Sequence, residues 1–122
     1  RDIYADKQLR LVICKVKDEK AIGTIDLFDY DLRHQRAGVG VLLADPSERK
    51  KGYASEALGI VIKYGFTTLM LHQFYCNIPA DNEDSIKLFE KHGFKQIGSK
   101  KDWIRSSDGW TDELLFQLIK SD

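Results

Sequence analysis

Hydrophobic and polar positions change their period repeatedly along the chain, and each change marks a new element. Residues 9–16 are largely apolar or β-branched without a helical repeat, and Lys17, Asp18, Glu19 and Lys20 follow as a polar turn. This pattern predicts a strand entering a hairpin. Residues 21–28 read as a second strand, 29–35 as a polar connection, and 38–44 as a third apolar run that stops at Asp45 and Pro46. Three strands in meander order predict antiparallel pairing. Beyond Gly52 the repeat lengthens. Ala54, Leu58, Ile62 and Leu69, with Ala57, Val61 and Phe66 beside them, recur every three or four residues, while Ser55, Lys63 and Thr67 fall off that stripe. An amphipathic helix over residues 52–70 follows.

Residues 74–78 form a short buried strand that Pro79 stops. The next helix is punctuated at both ends. Asn82 can cap its first turn, Glu83 and Asp84 suit the positive end of the dipole, and Lys91 and His92 suit the negative end. Gly93 supplies a left-handed cap. Residues 94–103 and 110–119 read as two long strands, and the Asp108-Gly109 pair between them suits a tight hairpin. The order is β-β-β-α-β-α-β-β. Helices that join strands imply some parallel pairing in an otherwise antiparallel sheet, so the class is α+β, a mixed sheet with flanking helices.

Composition narrows the function classes. A chain of 122 residues with 43% hydrophobic and 31% charged residues is one packed domain, spanning residues 1–122 without repeat or linker. Lys plus Arg and Asp plus Glu number 19 each, so no global field draws the chain to nucleic acid or to an anionic membrane. Any anion must be held locally. Apolar stretches are interrupted before they could span a bilayer, and no secretion signal opens the chain, so a cytoplasmic protein is expected. Cys14 and Cys76 sit in apolar runs and read as buried free thiols rather than metal ligands. His72 and His92 read as complements to helix dipoles, and His34 lies in a turn. No metal spacing is present. Trp103, Trp110 and Tyr75 read as core or hairpin packing.

The chemistry concentrates between the third strand and the long helix, where residues 45–54 make a polar, basic turn running into a helix start. The first N–H groups of a helix lack partners and carry partial positive charge, which suits a phosphate. Gly52 and Ala54 are small enough for close approach, and Arg49, Lys50 and Lys51 add charge beside that cradle. A solvated basic loop explains the same residues equally well. A nucleoside-triphosphate loop is excluded because Tyr53 follows Gly52, and Gly38, Gly40 and Gly52 lack dinucleotide-fingerprint spacing.

Arg49, Gly52 and Ala54 match the pattern Arg/Gln-x-x-Gly-x-Gly/Ala, and the segment resembles the pyrophosphate motif of the GNAT family of N-acetyltransferases. The strand GVGVLLADP before it and the helix start GYASEAL after it are similar to their family counterparts. So is the later Asn82-Glu83-Asp84-Ser85 followed by LFEKHGF. The resemblance covers roughly residues 11–119 and is nearest to the ribosomal-protein and spermidine acetyltransferases. It implies a splayed sheet that binds acetyl-coenzyme A as cosubstrate. The implied contacts are Leu42, Leu43 and Ala44 along the pantetheine arm, Arg49, Lys50, Lys51, Gly52, Tyr53 and Ala54 at the pyrophosphate, and Asn82. The implied reaction is direct attack of a primary amine on the thioester, the amine belonging to a protein N-terminus, a polyamine or another small molecule. A backbone N–H near residues 41–43 would polarise the carbonyl. Family members also begin with a strand and two helices for which nothing before Leu9 has room, so a truncated domain is expected, its open surface covered by a homodimer or by the rest of the protein.

Two positions depart from the family pattern. Gly38 stands where many relatives carry a glutamate base, and Asp26 and Asp29 are the nearest carboxylates, each also readable as a solvated charge. Phe89 stands where many carry a tyrosine acid, and the resemblance to the ribosomal-protein branch implies Ser85 as the group that protonates the departing thiolate, although it also reads as a first-turn residue bonding to backbone. These departures keep open a second reading, a non-catalytic module that senses acyl-coenzyme A.

Overall fold

The computed structural model describes residues 7–15, 17–43 and 52–121. Its elements run β1 (Leu9–Cys14), β2 (Ala21–Asp31), β3 (Arg36–Leu43), α1 (Tyr53–Thr67), β4 (Gln73–Pro79), α2 (Glu83–Lys91), β5 (Lys95–Ser106) and β6 (Gly109–Ile119). The expected order and the mixed class hold. The six strands form one sheet in the order β1-β2-β3-β4-β6-β5. Antiparallel pairing joins β1 to β2, β2 to β3, β4 to β6 and β5 to β6, and β3 to β4 is the parallel pair.

Both helices cover the same face. Helix α1 buries Ala54, Leu58, Val61 and Gly65, the stripe that its spacing predicts. A Cβ at Gly65 would collide with the buried Phe74 ring of β4, so glycine is what lets the helix lie this close to the sheet. Helix α2 adds Phe89, which meets Phe94 edge-on with ring centroids 5.0 Å apart. These side chains join Ile25, Leu27, Val39, Cys76 and Phe116 in one core.

The alternate side chains form the sheet's other face, which no helix among the described residues covers. Phe28, Tyr75 and Leu115 are half-buried there, and polar pairs cross it. Arg10 grips Asp26 with two bonds of 2.7 and 2.8 Å, Gln117 donates to Gln73 at 2.6 Å, and Lys100 reaches Asn77 at 3.0 Å and Glu113 at 2.7 Å.

Several local expectations are corrected. The long helix ends at Thr67, three residues early, because Leu71 N–H bonds back to the carbonyl of Gly65 while Met70 turns with φ +57. His72 therefore lies beyond the helix, with its backbone tied to Gln35 and Lys120. Cys14 is exposed, whereas Cys76 is buried and its thiol is pushed up to about 12 by that burial. Trp103 and Trp110 are each 59% exposed on the β5–β6 hairpin, beneath Lys100 and Arg105 respectively, and lie outside the core. The hairpin loop is Ser107-Asp108, with Gly109 opening β6 at φ +120.

Candidate active site

The parallel pair opens into a fork. Strands β3 and β4 are in register only from Arg36 to Gly38 against Gln73 to Tyr75. Past that point β3 continues to Leu43 bonded to β2 on one edge alone, so its other edge offers alternate N–H and C=O groups to a ligand. Strand β4 is held on its other edge by β6 from Gln73 to Pro79.

The start of α1 faces the mouth of this fork. The first helical bond runs from Glu56 N–H to the carbonyl of Gly52, which leaves the N–H groups of Tyr53, Ala54 and Ser55 without a helical acceptor. Gly52 holds φ +83, a left-handed conformation that glycine adopts without strain, and provides no side-chain cap. The place a Cβ would occupy there is open space. Helix α2 closes the far side. A cleft between the three elements is lined by Val41, Leu42 and Leu43 of β3, by Gly52, Ala54 and Ser55 of the α1 start, and by Asn82, Asp84, Ser85 and Leu88 of α2.

Most sequence-derived candidates within the described residues meet in this cleft: Leu42, Leu43, Gly52, Ala54, Asn82 and Ser85. Tyr53 does not. Its ring lies on the other side of the helix start, beneath the Lys15 ammonium at 5.8 Å, so only its backbone N–H is placed for an anion. Ala44, Arg49, Lys50 and Lys51 lie outside the described residues. Asn82 caps α2 as expected, its Oδ1 accepting from Ser85 N–H at 3.2 Å.

Both family departures have a structural counterpart. Phe89 is 2% exposed and turned into the core, so it takes no part in lining the cleft. At Gly38 the Phe28 ring fills the space that a side chain would need. Asp26 is engaged by Arg10, and the Asp31 carboxyl is held down at about 2 by the His34 backbone N–H and imidazole.

Sequence reasoning missed Ser55, Asp84 and Leu88. Asp84 and Leu88 stand four residues apart with Ser85 between them, a single helical stripe that the spacing alone could have found. Ser55 stands next to the matched motif, but its partner could not be foreseen: its Oγ lies 3.0 Å from His92 Nε2 at the end of α2. That contact ties the two helices together beside the cleft. Burial and the neighbouring Lys91 charge lower the His92 pKa below the usual histidine range.

A mixed sheet forked above an open helix start is the architecture of an acetyltransferase-type domain. The chain belongs to the acetyltransferase (GNAT) domain family, whose model matches residues 1–95. It is 34% identical over 109 residues to an uncharacterized N-acetyltransferase p20 of Bacillus licheniformis, covering 89% of this chain and 60% of that protein. It is 31% identical over 93 residues to the spermidine N(1)-acetyltransferase of Escherichia coli, covering 76% and 49% respectively. The mouse alpha/beta-tubulin-N-acetyltransferase 9 is 39% identical over 77 residues, 62% of this chain and 32% of that protein. Among solved structures, the spermidine N-acetyltransferase of Vibrio cholerae matches with TM-score 0.85 at 23% identity, over 96% of this chain and 67% of that one, in a form described as dodecameric. The chain thus spans about one third to two thirds of the length of the curated relatives it matches.

Proposed function

We propose that this domain binds acetyl-coenzyme A along the fork and passes the acetyl group to a primary amine. The observation that carries the reading is the short β3–β4 pairing, which leaves a free strand edge leading from an uncapped helix start to a closed end. The pyrophosphate sits on the N–H groups of Tyr53, Ala54 and Ser55, where the helix dipole favours negative charge. Gly52 keeps that approach clear. Arg49, Lys50 and Lys51, which precede Gly52 in sequence, add charge, and Asn82 contacts the coenzyme from α2. The pantetheine arm lies along Leu42, Leu43 and Ala44, pairing with backbone groups as a further strand would.

From Leu43 back to Gly38 is about 17 Å of strand. An extended arm entering at the mouth therefore carries its thioester toward the narrow end. A backbone N–H of residues 41–43 stabilises the carbonyl oxygen as charge develops, and Ser85 protonates the departing thiolate. Polyamines and peptide amines are the acceptor classes to test, since relatives are named for spermidine and for tubulin.

The sensing module remains as the second reading, favoured by Phe28 in front of Gly38 and by the inward Phe89. Thiol release separates the two. Acetyl-coenzyme A incubated with the protein and a panel of polyamines and peptide amines should liberate thiol with at least one acceptor. Tight binding with no release above the enzyme-free rate, across the panel, would favour the sensor.

A further inference from the structure

The reading above leaves the amine's proton unassigned, and the narrow end of the fork holds a group that can take it. Gly38 and Tyr75 are the last paired residues of β3 and β4. The Phe28 ring lies over Gly38 and meets the Tyr75 ring edge-on, with centroids 6.0 Å apart. Immediately after Phe28 the register slips, between the pairs Phe28↔Gly38 and Asp31↔Arg36. Asp29 sits in that bulge with φ +50, a left-handed conformation that aspartate adopts more readily than most residues other than glycine. Asp29 thus follows directly on the residue whose ring packs against Tyr75, and its charge is near enough to raise the Tyr75 pKa.

The surrounding charges are otherwise engaged. On the same sheet face Asp26 is held by Arg10 of β1. Asp31 is bonded to His34 at 3.0 Å and lies 3.7 Å from Arg36 of β3, whose charge also acts on Tyr75. Asp29 is exposed and faces a hydroxyl.

We propose that Asp29 is the base of the reaction, taking a proton from the substrate ammonium at the narrow end of the fork. Tyr75 is the positioning residue that holds the carboxylate there. The inference rests on the acetyl-transfer reading. The ammonium gives one proton to Asp29, and the freed lone pair forms the C–N bond to the thioester carbon as the carbonyl electrons move to oxygen. Collapse breaks the C–S bond, and its electron pair leaves on sulfur. The thiolate takes a proton, the second proton of the attacking nitrogen is lost as the amide forms, and Asp29 returns its own to solvent. One proton is released per turnover. Burial first, and then the nearby Asp29 charge, raise the Tyr75 pKa, so the hydroxyl remains a donor throughout the working range.

The test is kcat/KM against pH for the parent, Asp29→Asn, Tyr75→Phe and His34→Gln, with the amine that releases most thiol. Asp29→Asn should lose about 10²-fold at neutral pH. That loss should shrink as pH approaches the amine's own pKa near about 10, where bulk solvent supplies the free base. Tyr75→Phe should lose about tenfold with the same trend, and the Kd for acetyl-coenzyme A should stay unchanged in both. His34→Gln should keep the parent profile. The proposal is overturned if Asp29→Asn and Tyr75→Phe retain parent rates, if their losses are the same at every pH, or if His34→Gln alone removes the pH dependence. A parent that turns over no amine at any pH sinks the acetyl-transfer reading and the base with it. A misfolded Asp29→Asn, seen by circular dichroism, leaves Tyr75→Phe to decide by the same pH trend.

Discussion

Ser85 presents its main chain to one partner and its side chain to another. Its backbone N–H is the donor that Asn82 caps, and its side chain lies on the cleft, half-buried. The cap uses the main chain, so removing the hydroxyl should leave α2 in place. If that hydroxyl protonates the thiolate, Ser85→Ala should lower kcat about 10²-fold with coenzyme binding nearly intact, because the bond matters mainly in the transition state. Rapid-quench measurement of the chemical step checks this. Weaker binding at an unchanged chemical rate would instead make Ser85 a coenzyme contact. Adding a hydroxyl at Phe89 offers no substitute, since that ring points into the core against Phe94.

At the scale of elements, the β2–β3 pair carries the feature that distinguishes this fork. Phe28 occupies the volume in front of Gly38, and any Cβ there must displace it. Gly38→Ala should cost about 1–3 kcal/mol as an overpacked contact. The cost should largely vanish in a Phe28→Ala background, a coupling that urea unfolding of the four proteins would measure. Equal costs in both backgrounds would mean that the ring does not hold that space. The strands, both helices and Asn82 and Ser85 of the cleft were legible in the sequence because alternation, the helical stripe of α1 and the Asn82 cap are local signals. The rest was not, for particular reasons. The β2 bulge depends on pairing with β3, so the left-handed turn at Asp29 leaves no trace in residues 28–31. The Ser55–His92 contact joins positions 37 apart and depends on how the two helices pack. Cys14 stands in an apolar run, yet it follows the buried Ile13 at the end of β1, where the register with β2 shifts, and is exposed.

At the scale of the molecule, one face of the sheet is packed by two helices, and no helix among the described residues covers the other. Val12, Leu42 and Ile119 alternate onto the open face with 59%, 67% and 50% of their surface exposed. Trp103 and Trp110 project on the hairpin besides. A sheet face left uncovered with such side chains is where protein tends to dock, and self-association is the expected outcome. Sedimentation at micromolar concentration should show a dimer or larger species, and a monodisperse monomer would count against it. Charge gives no competing partner, since acidic and basic residues balance at 19 each, and no helix among the described residues is long and apolar enough to cross a membrane.

The central claim is that the start of α1 holds the coenzyme's pyrophosphate at the mouth of the fork. Calorimetric titration of acetyl-coenzyme A into the parent and into Gly52→Val tests it most directly. The substitution puts a β-branched side chain at φ +83 and into the open space before the free N–H groups. The account predicts binding by the parent and a loss of at least about a hundredfold in affinity for the variant, with both proteins folded by circular dichroism. Equal affinity of the two would contradict it.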